Sequence, residues 1–431
     1  MISGEALEQL RLHRPQKRGR KPALPLASLL QGLLFHVLFH SGTFAEHLRH
    51  LSGWTKTDST LAGRRTALGW PAFAQLLRQA LRPLAVLKRN PEAFWHGLRL
   101  VAWDGTQFSL TNTPQVRAQF PKAATRRKRA AWAKMTAVVL LEVGLHNPLA
   151  AAIGEHGQSE YALTRSLIGA LPQGCLLLAD RLCGVPALIA EIYAACQGRS
   201  SHFLIRTRHN LLVQKRRRLR DGSALVEVGV RDPKHRKKVT EVLQLREIRV
   251  RLSRPGHRGA VLRLWTSLLD PQTAPALELV RLYAQRWEQE LYWRQMKLEL
   301  RKTALLQSHT PLTAAQEIVM LILATALLAH ERTRAADGKH PVLQISFVKC
   351  LDLLRPLWLT LCLAGNVLSP AAQSALCRVF DREIQRCLKS KRRARSCLRA
   401  VRQPVKGWPR LLRPAYANGP WRYQIIRSSR P

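Results

Sequence analysis

The spacing of apolar and polar positions divides the chain into a helical beginning, a middle that contains short strands, and a helical end. Up to about residue 95, apolar residues recur every three or four positions, as on one face of an amphipathic helix. This pattern predicts helices at Leu29–His40, Thr43–Leu51 and Ser59–Leu68. The first part of the chain is therefore expected to be a helical domain.

A polar turn separates the two shorter helices, and it leaves two interpretations open. They form either a helix-turn-helix, whose second helix enters a major groove, or an ordinary helical bundle with a basic face. Asp58 or Ser59 is expected to cap the second helix, because short polar side chains accept a hydrogen bond from the first helical turn. Arg64 and Arg65 are then expected to face outward.

From residue 99 onward the pattern changes to short apolar runs of strand length. These runs are Arg99–Asp104, Ala137–Gly144, Cys175–Asp180 and His202–Thr207. Helical stretches lie between them at Ser159–Leu171 and Val185–Cys196. Strands that alternate with helices predict an α/β domain with a mixed sheet.

The stretch from about 208 to 270 combines basic clusters with runs in which apolar and polar residues alternate. Such alternation is typical of antiparallel strands, so this stretch is expected to be a small β subdomain inserted into the α/β domain. A helical pattern resumes over Ala276–Lys302, and the chain stays helical and basic to about residue 400. The last ~25 residues are expected to be irregular.

The balance of charges is strongly basic, since 70 Lys and Arg stand against 27 Asp and Glu, a formal net charge of +43. Because 46% of the residues are hydrophobic, the chain can bury sizeable cores and is not a disordered basic tail. This charge also excludes a typical metabolic enzyme with a near-neutral surface. A folded protein of this charge is expected to act against a polyanion, and nucleic acid is the polyanion that we favour.

Cysteine usage and apolar runs bear on the compartment. The eight cysteines form no Cys-x-x-Cys pair and no paired Cys/His group, which predicts buried thiols in a reducing compartment instead of disulfides or a zinc site. The polar, basic N-terminus predicts no signal peptide. The longest apolar runs, Leu29–Phe39 and Ile318–Ala329, are too short or interrupted to span a bilayer. A cytoplasmic protein without membrane contacts is therefore expected.

Acidic residues are scarce, so the position of each carboxylate is informative. Asp104 and Asp180 stand at the ends of apolar strand patterns. A carboxylate at that place is costly unless a cation meets it, and the ligands of open α/β sheets bind at this edge. The alternative is a turn, because Asp104-Gly105 is a common turn dipeptide.

A third carboxylate, Glu290, lies on the predicted helix that follows the β subdomain. At about 100° per residue, three other polar side chains share one stripe with it, within about 60° around the helix axis. They are Tyr283, Arg286 and Lys297. A solvated Arg–Glu pair would explain this stripe, and so would a carboxylate flanked by cations that hold phosphates. Asp270 also ends a strand pattern and is the rival third carboxylate, but it lacks the cationic stripe.

Three carboxylates without a thiol or imidazole cluster suit hard cations that prefer oxygen. The expected cofactor is therefore Mg²⁺ or Mn²⁺, with two ions per site. Two such ions ~4 Å apart can activate a water or a 3′-hydroxyl and stabilise the leaving oxygen in phosphoryl transfer. They would also offset the mutual repulsion of the carboxylates.

These residues resemble the Asp-Asp-Glu centre of bacterial insertion-sequence transposases. WDGT around Asp104 and LLLADR around Asp180 are similar to the first two motifs of that family. The Tyr-x2-Arg-x3-Glu-x6-Lys spacing around Glu290 matches the Tyr-Arg-Glu-Lys signature of the IS-four-type branch. The chain departs from the family after Asp180, where Leu182-Cys183-Gly184 stands in place of the usual Gly and aromatic residue.

The resemblance implies a ribonuclease-H-like mixed-sheet catalytic core with an inserted β subdomain, flanked by helical N- and C-terminal regions. It also implies Mg²⁺-dependent cleavage at insertion-sequence ends and joining of the 3′-hydroxyl ends to target DNA. The enzyme would bind terminal inverted repeats as a homodimer in a synaptic complex and would associate with the nucleoid. A non-catalytic sequence-specific DNA-binding protein and a structure-specific nuclease on the same core are the alternatives.

The resemblance also implies roles for single residues. The family's catalytic metal ligands correspond to Asp104, Asp180 and Glu290. The family's contacts to phosphates of the end DNA correspond to Tyr283, Arg286 and Lys297. Members of this branch can pass through a DNA hairpin with a flipped base, and Trp265 in the insertion is the candidate wedge. A tryptophan in the core of the subdomain is the alternative for Trp265.

Further basic residues are expected to follow the DNA backbone without reading its sequence, with a solvated charged face as the alternative. They are Arg64, Arg65, Arg126, Arg127, Lys128, Arg216 and Arg217. The expected domains are a helical DNA-binding domain (1–95), the two parts of the catalytic core (96–207 and 271–345), the inserted β subdomain (208–270) and a basic helical C-terminal region (346–431).

Overall fold

The computed structural model describes residues 24–39, 41–122, 130–232, 235, 238–254, 257–389 and 420–426. The chain forms two compact units. Unit 1 comprises Met1–Ala170 and Trp287–Leu388, and unit 2 comprises Leu171–Arg286 and Lys389–Pro431. Unit 1 therefore combines the beginning of the chain with most of its later helices.

Helices occur throughout the described residues. The α-helices are α1 (Leu26–Leu38), α2 (Phe44–Ser52), α3 (Asp58–Ala80), α4 (Pro114–Gln119), α5 (Glu160–Ser166), α6 (Pro186–Gln197), α7 (Ala276–Tyr283), α8 (Glu288–Arg294), α9 (Pro311–Ala336), α10 (Phe347–Ala364) and α11 (Pro370–Arg386). Short 3₁₀ turns lie at Pro91–Ala93, Ile168–Ala170, Ala284–Trp287 and Val342–Gln344. A π-helical segment, Gln295–Arg301, follows α8 directly.

Strands occupy the middle of the chain and one short segment near its end. They are β1 (Phe94–Trp95), β2 (Leu98–Ser109), β3 (Lys134–Glu142), β4 (Asn147–Ile153), β5 (Cys175–Ala179), β6 (His202–Arg206), β7 (Lys215–Arg218), β8 (Ala224–Arg231), β9 (Val239–Arg254), β10 (His257–Thr266) and β11 (Arg422–Ile425). Strands β1 to β4 belong to unit 1, and β5 to β11 belong to unit 2.

Helices α2 and α3 begin at polar side chains that cap them. Thr43 caps α2 in a capping box with Glu46. Thr57 caps α3 by accepting a hydrogen bond from the Thr60 amide. The expectation that Asp58 or the residue after it caps this helix is therefore wrong, because the neighbouring threonine takes that position.

Helix α3 is also longer than its apolar pattern predicts. The pattern ends at Leu68, whereas the helix continues to Ala80. Gly69 interrupts the helical backbone with φ 67° and ψ −178°, a conformation that glycine adopts without steric cost. Pro71 then lies in the first turn of the second segment, where its missing N–H would have no helical partner. The expected third helix is therefore two helical segments with a kink.

The core of unit 1 is built around α9. Helices α1, α3, α10 and α11 pack against it. By length and composition α9 could cross a membrane, but 89% of its most apolar 18-residue window is buried inside the protein. No other helix in the described ranges meets those criteria of length and composition. A helix that is apolar on all sides is typical of a buried core, and α9 has this role.

The sheet of unit 1 is antiparallel. Strand β2 pairs with β1 and β3, and β3 pairs with β4. Asp104 lies in the middle of β2, opposite Val139 of β3, because backbone pairing continues to Ser109 although the apolar run ends at Trp103. The expectation that Asp104 stands at the end of a strand is therefore wrong.

Unit 2 contains a mixed sheet. Strand β5 pairs with β6 in parallel, and β10, β9, β8 and β7 follow β6 in antiparallel order. The strands β7 to β10 form the expected β subdomain, so the mixed α/β fold class is confirmed. Strand β11 pairs antiparallel with β9, with Tyr423 opposite Leu252. The expectation of an irregular chain end is therefore wrong at Arg422–Ile425.

The stretch around Glu290 is not one continuous α-helix. It consists of α7, a 3₁₀ turn, α8 and the π-helical segment, which is closed by a bond from the Lys302 amide to the Lys297 carbonyl oxygen (3.2 Å). Because these elements differ in rotation per residue, a stripe drawn at a constant angle does not describe the stretch. The predicted single helix Ala276–Lys302 is wrong in this respect.

Candidate active site

Asp104 is half-buried on one face of β2, together with Thr106 and Phe108. These three side chains share a face because they alternate along the strand. Phe108 is buried, whereas the side chains of Asp104 and Thr106 are only partly covered. This face of β2 therefore changes from polar at Asp104 to apolar at Phe108.

Helix α8 packs on this face of β2 and brings Glu290 to it. The side-chain amide of Gln289 donates to the carbonyl oxygen of Val139 (3.3 Å), the residue directly opposite Asp104. Farther along the helix, the Trp293 ring meets the Phe108 ring edge to face, with centroids 6.3 Å apart. Because Glu290 follows Gln289 directly, the structure places the helix that carries Glu290 against the sheet that carries Asp104, within unit 1.

Lys297 in the π-helical segment is bound to the same face. Its Nζ donates to Thr106 Oγ1 and to the carbonyl oxygen of Gln107 (2.9 Å), and it lies 5.1 Å from the centre of the Phe108 ring. The ammonium group is therefore held beside β2 by protein acceptors and by a cation–π contact.

The charges around Lys297 are mostly positive. Burial and, to a smaller extent, the nearby charges of Arg301 and Lys134 lower the pKa of Lys297 to about 8, while Asp104 acts in the opposite direction. A group of cations around one carboxylate attracts further negative charge, as a phosphate or another carboxylate would supply. The Asp104 face of unit 1 is therefore electrostatically suited to an anionic ligand.

Gly105 lies directly beneath the Glu160 side chain at the start of α5. A Cβ atom added to Gly105 would lie 2.4 Å from the carboxyl carbon of Glu160, the first residue of α5. Atoms at that separation overlap, so the end of the Glu160 side chain would have to move aside for any larger residue. Gly105 lies within β2 and is not a turn residue.

In unit 2, Asp180 directly follows β5, as the apolar pattern predicts. Its Oδ1 accepts a hydrogen bond from the Leu182 amide (2.8 Å), which fixes the start of the loop in which the chain departs from its relatives' pattern. The carboxylate is half-buried, so it remains accessible to a ligand.

Tyr283 lies beside Asp180 in unit 2, but it is buried. Its hydroxyl donates to the carbonyl oxygen of Ala179 (3.1 Å), at the end of β5. Burial raises the pKa of Tyr283, and among the charges around it Asp180 raises this pKa while Arg286 and Arg206 lower it. The expectation that Tyr283 contacts a phosphate is therefore corrected: this side chain holds the strand end at which Asp180 lies.

The donor chemistry of the three carboxylates fits a hard divalent cation, because carboxylate oxygens are the ligands that Mg²⁺ and Mn²⁺ prefer. Asp104 and Glu290 belong to unit 1 and Asp180 to unit 2. Among the residues that the structure describes, no three His, Cys, Asp or Glu side chains are gathered into a metal-binding group. The structure therefore places the helix of one predicted ligand against the sheet of another, and the three-ligand set stays a prediction.

A family model described as the transposase DDE domain matches residues 95–327, more than half of the 431 residues. The chain belongs to the transposase DDE domain family. The matched range includes all three carboxylates as well as the β insertion. The predicted resemblance to insertion-sequence transposases is thereby confirmed.

Two relatives agree with this assignment. The transposase InsG for insertion sequence element IS4, from Escherichia coli K12, is 29% identical over 294 residues, which cover 67% of this chain and 65% of InsG. The putative transposase InsZ from the same organism is 32% identical over 125 residues, 29% of this chain and 42% of InsZ. The chain thus spans just under two thirds of InsG and less than half of InsZ.

One solved structure is similar over most of the chain at low identity. It is a cryo-EM structure of the piggyBac transposase synaptic complex with hairpin DNA. The two chains are 10% identical, the match covers 91% of this chain and 82% of that one, and the TM-score is 0.44.

In this DDE-domain protein the two arginines of α3 do not face outward as expected. Arg64 Nη2 donates to the carbonyl oxygen of Leu24 (2.7 Å). Arg65 donates to Gln316 and Ser308 side chains and to a backbone carbonyl at the start of α9, and burial lowers its pKa. The two guanidinium groups therefore stabilise the helical core of unit 1, and their assignment to DNA is corrected.

Trp265 is fully buried on β10 of the DDE-domain protein. Its indole Nε1 donates to Glu247 Oε2 (3.1 Å), and the Arg263 guanidinium lies 4.9 Å from its ring centre. A fully buried tryptophan with a satisfied donor is not available to wedge between bases. The expectation of a base wedge is therefore wrong, and Trp265 is a core residue of the β subdomain.

The remaining predicted residues have different outcomes. Arg216 on β7 forms an ion pair with Glu247 (2.9 Å), while its neighbour Arg217 is exposed. Arg286 is half-buried. Asp270, the rival carboxylate, is exposed and accepts a hydrogen bond from the Gln272 amide (2.9 Å), as a turn residue does. Arg126, Arg127 and Lys128 lie outside the described residues.

The sequence interpretation missed Gln289 as part of this site. A signal was present, because Gln289 lies three, four and seven positions before three large apolar residues that share its helix face. They are Tyr292, Trp293 and Met296, all of which are buried. A polar side chain on such an apolar stripe is expected to have a hydrogen-bond partner in the core.

Proposed function

We propose that this chain is a DNA transposase that cleaves at insertion-sequence ends and joins the 3′-hydroxyl ends to target DNA. The observation that carries the proposal is the placement of the Glu290 helix on the Asp104 face of β2, inside the range that matches the transposase DDE domain. This packing supports the proposal that two carboxylates from separate parts of the chain act together in phosphoryl transfer.

The proposed metal ligands are Asp104, Asp180 and Glu290, and the proposed cofactor is Mg²⁺ or Mn²⁺ with two ions per site. A divalent cation held by these carboxylates supplies the positive charge that phosphoryl transfer needs at the attacked phosphate. The pairing of β2 with β3 orients Asp104, and the Leu182 amide orients Asp180. Each ligand is therefore attached to a regular element or to its end.

Two cations are proposed to bind the phosphates of the end DNA. Lys297 is held on the Asp104 face of unit 1, and burial together with its cationic neighbours lowers its pKa to about 8. A bound phosphate would restore the charged form of this ammonium group, because an opposite charge raises the pKa of a lysine. Arg286 is the second cation, and it lies near Tyr283 in unit 2.

The net charge of +43 supports DNA as the partner. We propose that the helical region 1–95 binds the terminal inverted repeats, and that exposed arginines of the insertion such as Arg217 follow the DNA backbone. The catalytic core would comprise 96–207 and 271–345, with 208–270 inserted and 346–431 as a basic C-terminal region. A homodimer in a synaptic complex, active in the cytoplasm at the nucleoid, completes the proposal.

The test uses the purified full-length chain, Mg²⁺ and DNA that carries the terminal repeats of its element. Asp104→Asn and Glu290→Gln are expected to abolish strand cleavage. The matched controls are Asp352→Asn and Glu383→Gln, which change an exposed aspartate and an exposed glutamate that each pair with an arginine three residues on. If Asp104→Asn cleaves as well as the unchanged protein, the proposal is rejected.

The products separate the proposal from its two alternatives. Joined strands are the product of a transposase. Cut DNA without joined strands would indicate a structure-specific nuclease on the same core. Salt-sensitive binding that is indifferent to Mg²⁺ and leads to no cleavage would indicate a non-catalytic DNA-binding protein.

A further inference from the structure

His146 occupies a strained position in the turn between β3 and β4 of unit 1. Its backbone has φ 53°, the left-handed region that residues other than glycine rarely adopt. Its side chain is only 3% exposed, so the ring points into the protein and not toward solvent. Such strained, buried residues persist where the surrounding structure holds them in place.

The imidazole of His146 joins the two ends of the helix that carries Glu290. Its Nε2 lies 2.8 Å from Glu288 Oε2, at the first residue of α8. Its Nδ1 lies 2.9 Å from Gln295 Oε1, the residue at which the π-helical segment begins. Between these two points the ring meets Tyr292 edge to face, with centroids 6.4 Å apart.

The neutral form of the ring can make both contacts if one nitrogen donates and the other accepts. Burial lowers the pKa of His146 and favours the neutral imidazole, while the contacts with Glu288 and Gln295 act in the opposite direction. A neutral imidazole donates from one nitrogen and accepts at the other. It can therefore donate to the Glu288 carboxylate and accept from the Gln295 amide group when that amide is turned to donate.

Two further contacts hold the same helix on its other sides. Gln289 donates to Val139 on the sheet, and the Tyr292 hydroxyl bonds to Thr325 Oγ1 on α9 (3.0 Å). These contacts fix the middle of α8, whereas His146 reaches both of its ends. A single contact in the middle of α8 leaves the helix free to tilt about that point. His146 contacts both ends of α8 and therefore restricts its tilt.

We infer that His146 is a positioning residue: by bridging Glu288 and Gln295 it fixes the orientation in which α8 presents Glu290 beside Asp104. The effect of His146 on cleavage rests on the proposed function, whereas its effect on the orientation of α8 holds whether or not the protein cleaves DNA. His146 acts through the helix and is not itself a metal ligand. Loss of a group that orients a metal ligand typically lowers metal affinity or activity by 10- to 100-fold.

The first test is amide hydrogen exchange on the full-length protein. His146→Asn removes both contacts, while asparagine tolerates the left-handed backbone. The matched control is His96→Asn, because His96 also has a positive φ (47°) in a turn of unit 1 but is exposed. In the His146 variant, amides of α8 are expected to exchange about tenfold faster, because a lost buried hydrogen bond costs roughly that factor in local opening. Amides of α9 and the His96 variant are expected to be unchanged.

The second test measures the Mg²⁺ concentration that gives half-maximal strand cleavage. His146→Asn is expected to raise it about 10- to 100-fold, with cleavage largely restored at saturating Mg²⁺. A general loss of structure would instead lower cleavage at all Mg²⁺ concentrations and weaken metal-free DNA binding. His146→Gln, which keeps a side chain able to donate and accept, is expected to give a smaller shift.

If His146→Asn does not fold, two variants that change the partners of His146 test the same contacts. Glu288→Ala and Gln295→Ala each remove one contact and are expected to speed exchange in α8 by a smaller factor. Unchanged exchange in α8 in these variants, or in His146→Asn, would overturn the inference. If the unchanged protein cleaves no DNA, the proposed function fails, and hydrogen exchange still decides whether His146 holds the helix.

Discussion

The side-chain amide of Gln289 donates to the carbonyl oxygen of Val139, at the strand position directly opposite Asp104. This bond joins the residue before one candidate ligand to the cross-strand neighbour of another. The two partners are 150 positions apart in the chain. The bond therefore fixes α8, the helix of Glu290, against the sheet that contains β2.

Replacing Gln289 by methionine keeps most of the side-chain volume but removes this donor. Because the buried Val139 carbonyl then lacks that partner, we expect the free energy of unfolding to fall by about 1–3 kcal/mol. Urea unfolding measures the change. Gln197→Met, an exposed glutamine near the end of α6, is the control and is expected to change stability by less than about 0.5 kcal/mol. Equal stability of the two variants would contradict the role of the bond.

Gly105→Ala is expected to destabilise the protein, because the added Cβ would lie 2.4 Å from the Glu160 carboxyl carbon. Because the end of the flexible Glu160 side chain can move aside, the expected cost is at the lower end of the ~1–3 kcal/mol typical of overpacking. Gly63→Ala is the matched change, because nothing lies within 4 Å of its added Cβ in helix α3. That variant is expected to be more stable by about 0.4–1 kcal/mol. Thermal unfolding is expected to show a lower melting temperature for Gly105→Ala and a higher one for Gly63→Ala. A Gly105→Ala variant that is more stable than the unchanged protein would refute the packing argument.

Stability is expected to fall in mild acid because of His36. Burial and the neighbouring His47 lower the pKa of His36 to about 4 in the folded protein, below its ordinary value of 6.5. The unfolded chain therefore binds the proton more tightly, and the stability contributed by neutral His36 is lost as pH falls from about 6.5 toward 4. Between pH 7 and pH 4.5 this amounts to about 2–3 kcal/mol.

The measurement compares urea unfolding at pH 7 and pH 4.5. His36→Gln does not titrate in this range, so it is expected to lose less stability on acidification than the unchanged protein. His156→Gln changes a histidine whose side chain is 74% exposed and is expected to keep the full acid dependence. The same acid dependence in His36→Gln as in the unchanged protein would rule out His36 as its source.

Trp265→Phe distinguishes a core residue from a base wedge. The change removes the hydrogen bond to Glu247 and leaves a cavity in a buried place, so the free energy of unfolding is expected to fall by about 1–3 kcal/mol. Trp421→Phe changes a tryptophan that is 42% exposed and is expected to have little effect. A Trp265→Phe protein of unchanged stability that fails only in hairpin formation would restore the wedge interpretation.

Local patterns were sufficient for some elements and insufficient for others. Strand β5 was predicted within one residue because its apolar run is fully buried and ends where the strand ends. Strand β2 was predicted too short, since its pairing with β3 continues through Thr106, which a search for apolar runs does not detect. The cap of α3 was misplaced because Thr57, Asp58 and Ser59 are all good capping residues.

The environment of charged and aromatic side chains was the least predictable property. Arg65, Tyr283 and Trp265 were expected at a DNA surface, and all three donate hydrogen bonds to partners within the protein. Their partners lie between 18 and 251 positions away in the chain. A charge or an indole looks the same in a sequence whether it is exposed or paired inside a core.

By itself, the sequence determined the basic charge, the family, most of the order of helices and strands, and three carboxylates as candidates for the metal site. These properties depend on residue types and on spacing along the chain, which a sequence contains directly. Only the tertiary structure decided that Gln289 and His146 hold the Glu290 helix and that Asp104 lies within a strand. The contacts of Gln289 and His146 join residues about 150 positions apart, and their geometry is set by the packing of α8 in unit 1. The place of Asp104 within β2 is set by the pairing of this strand with β3, which continues past the end of the apolar run.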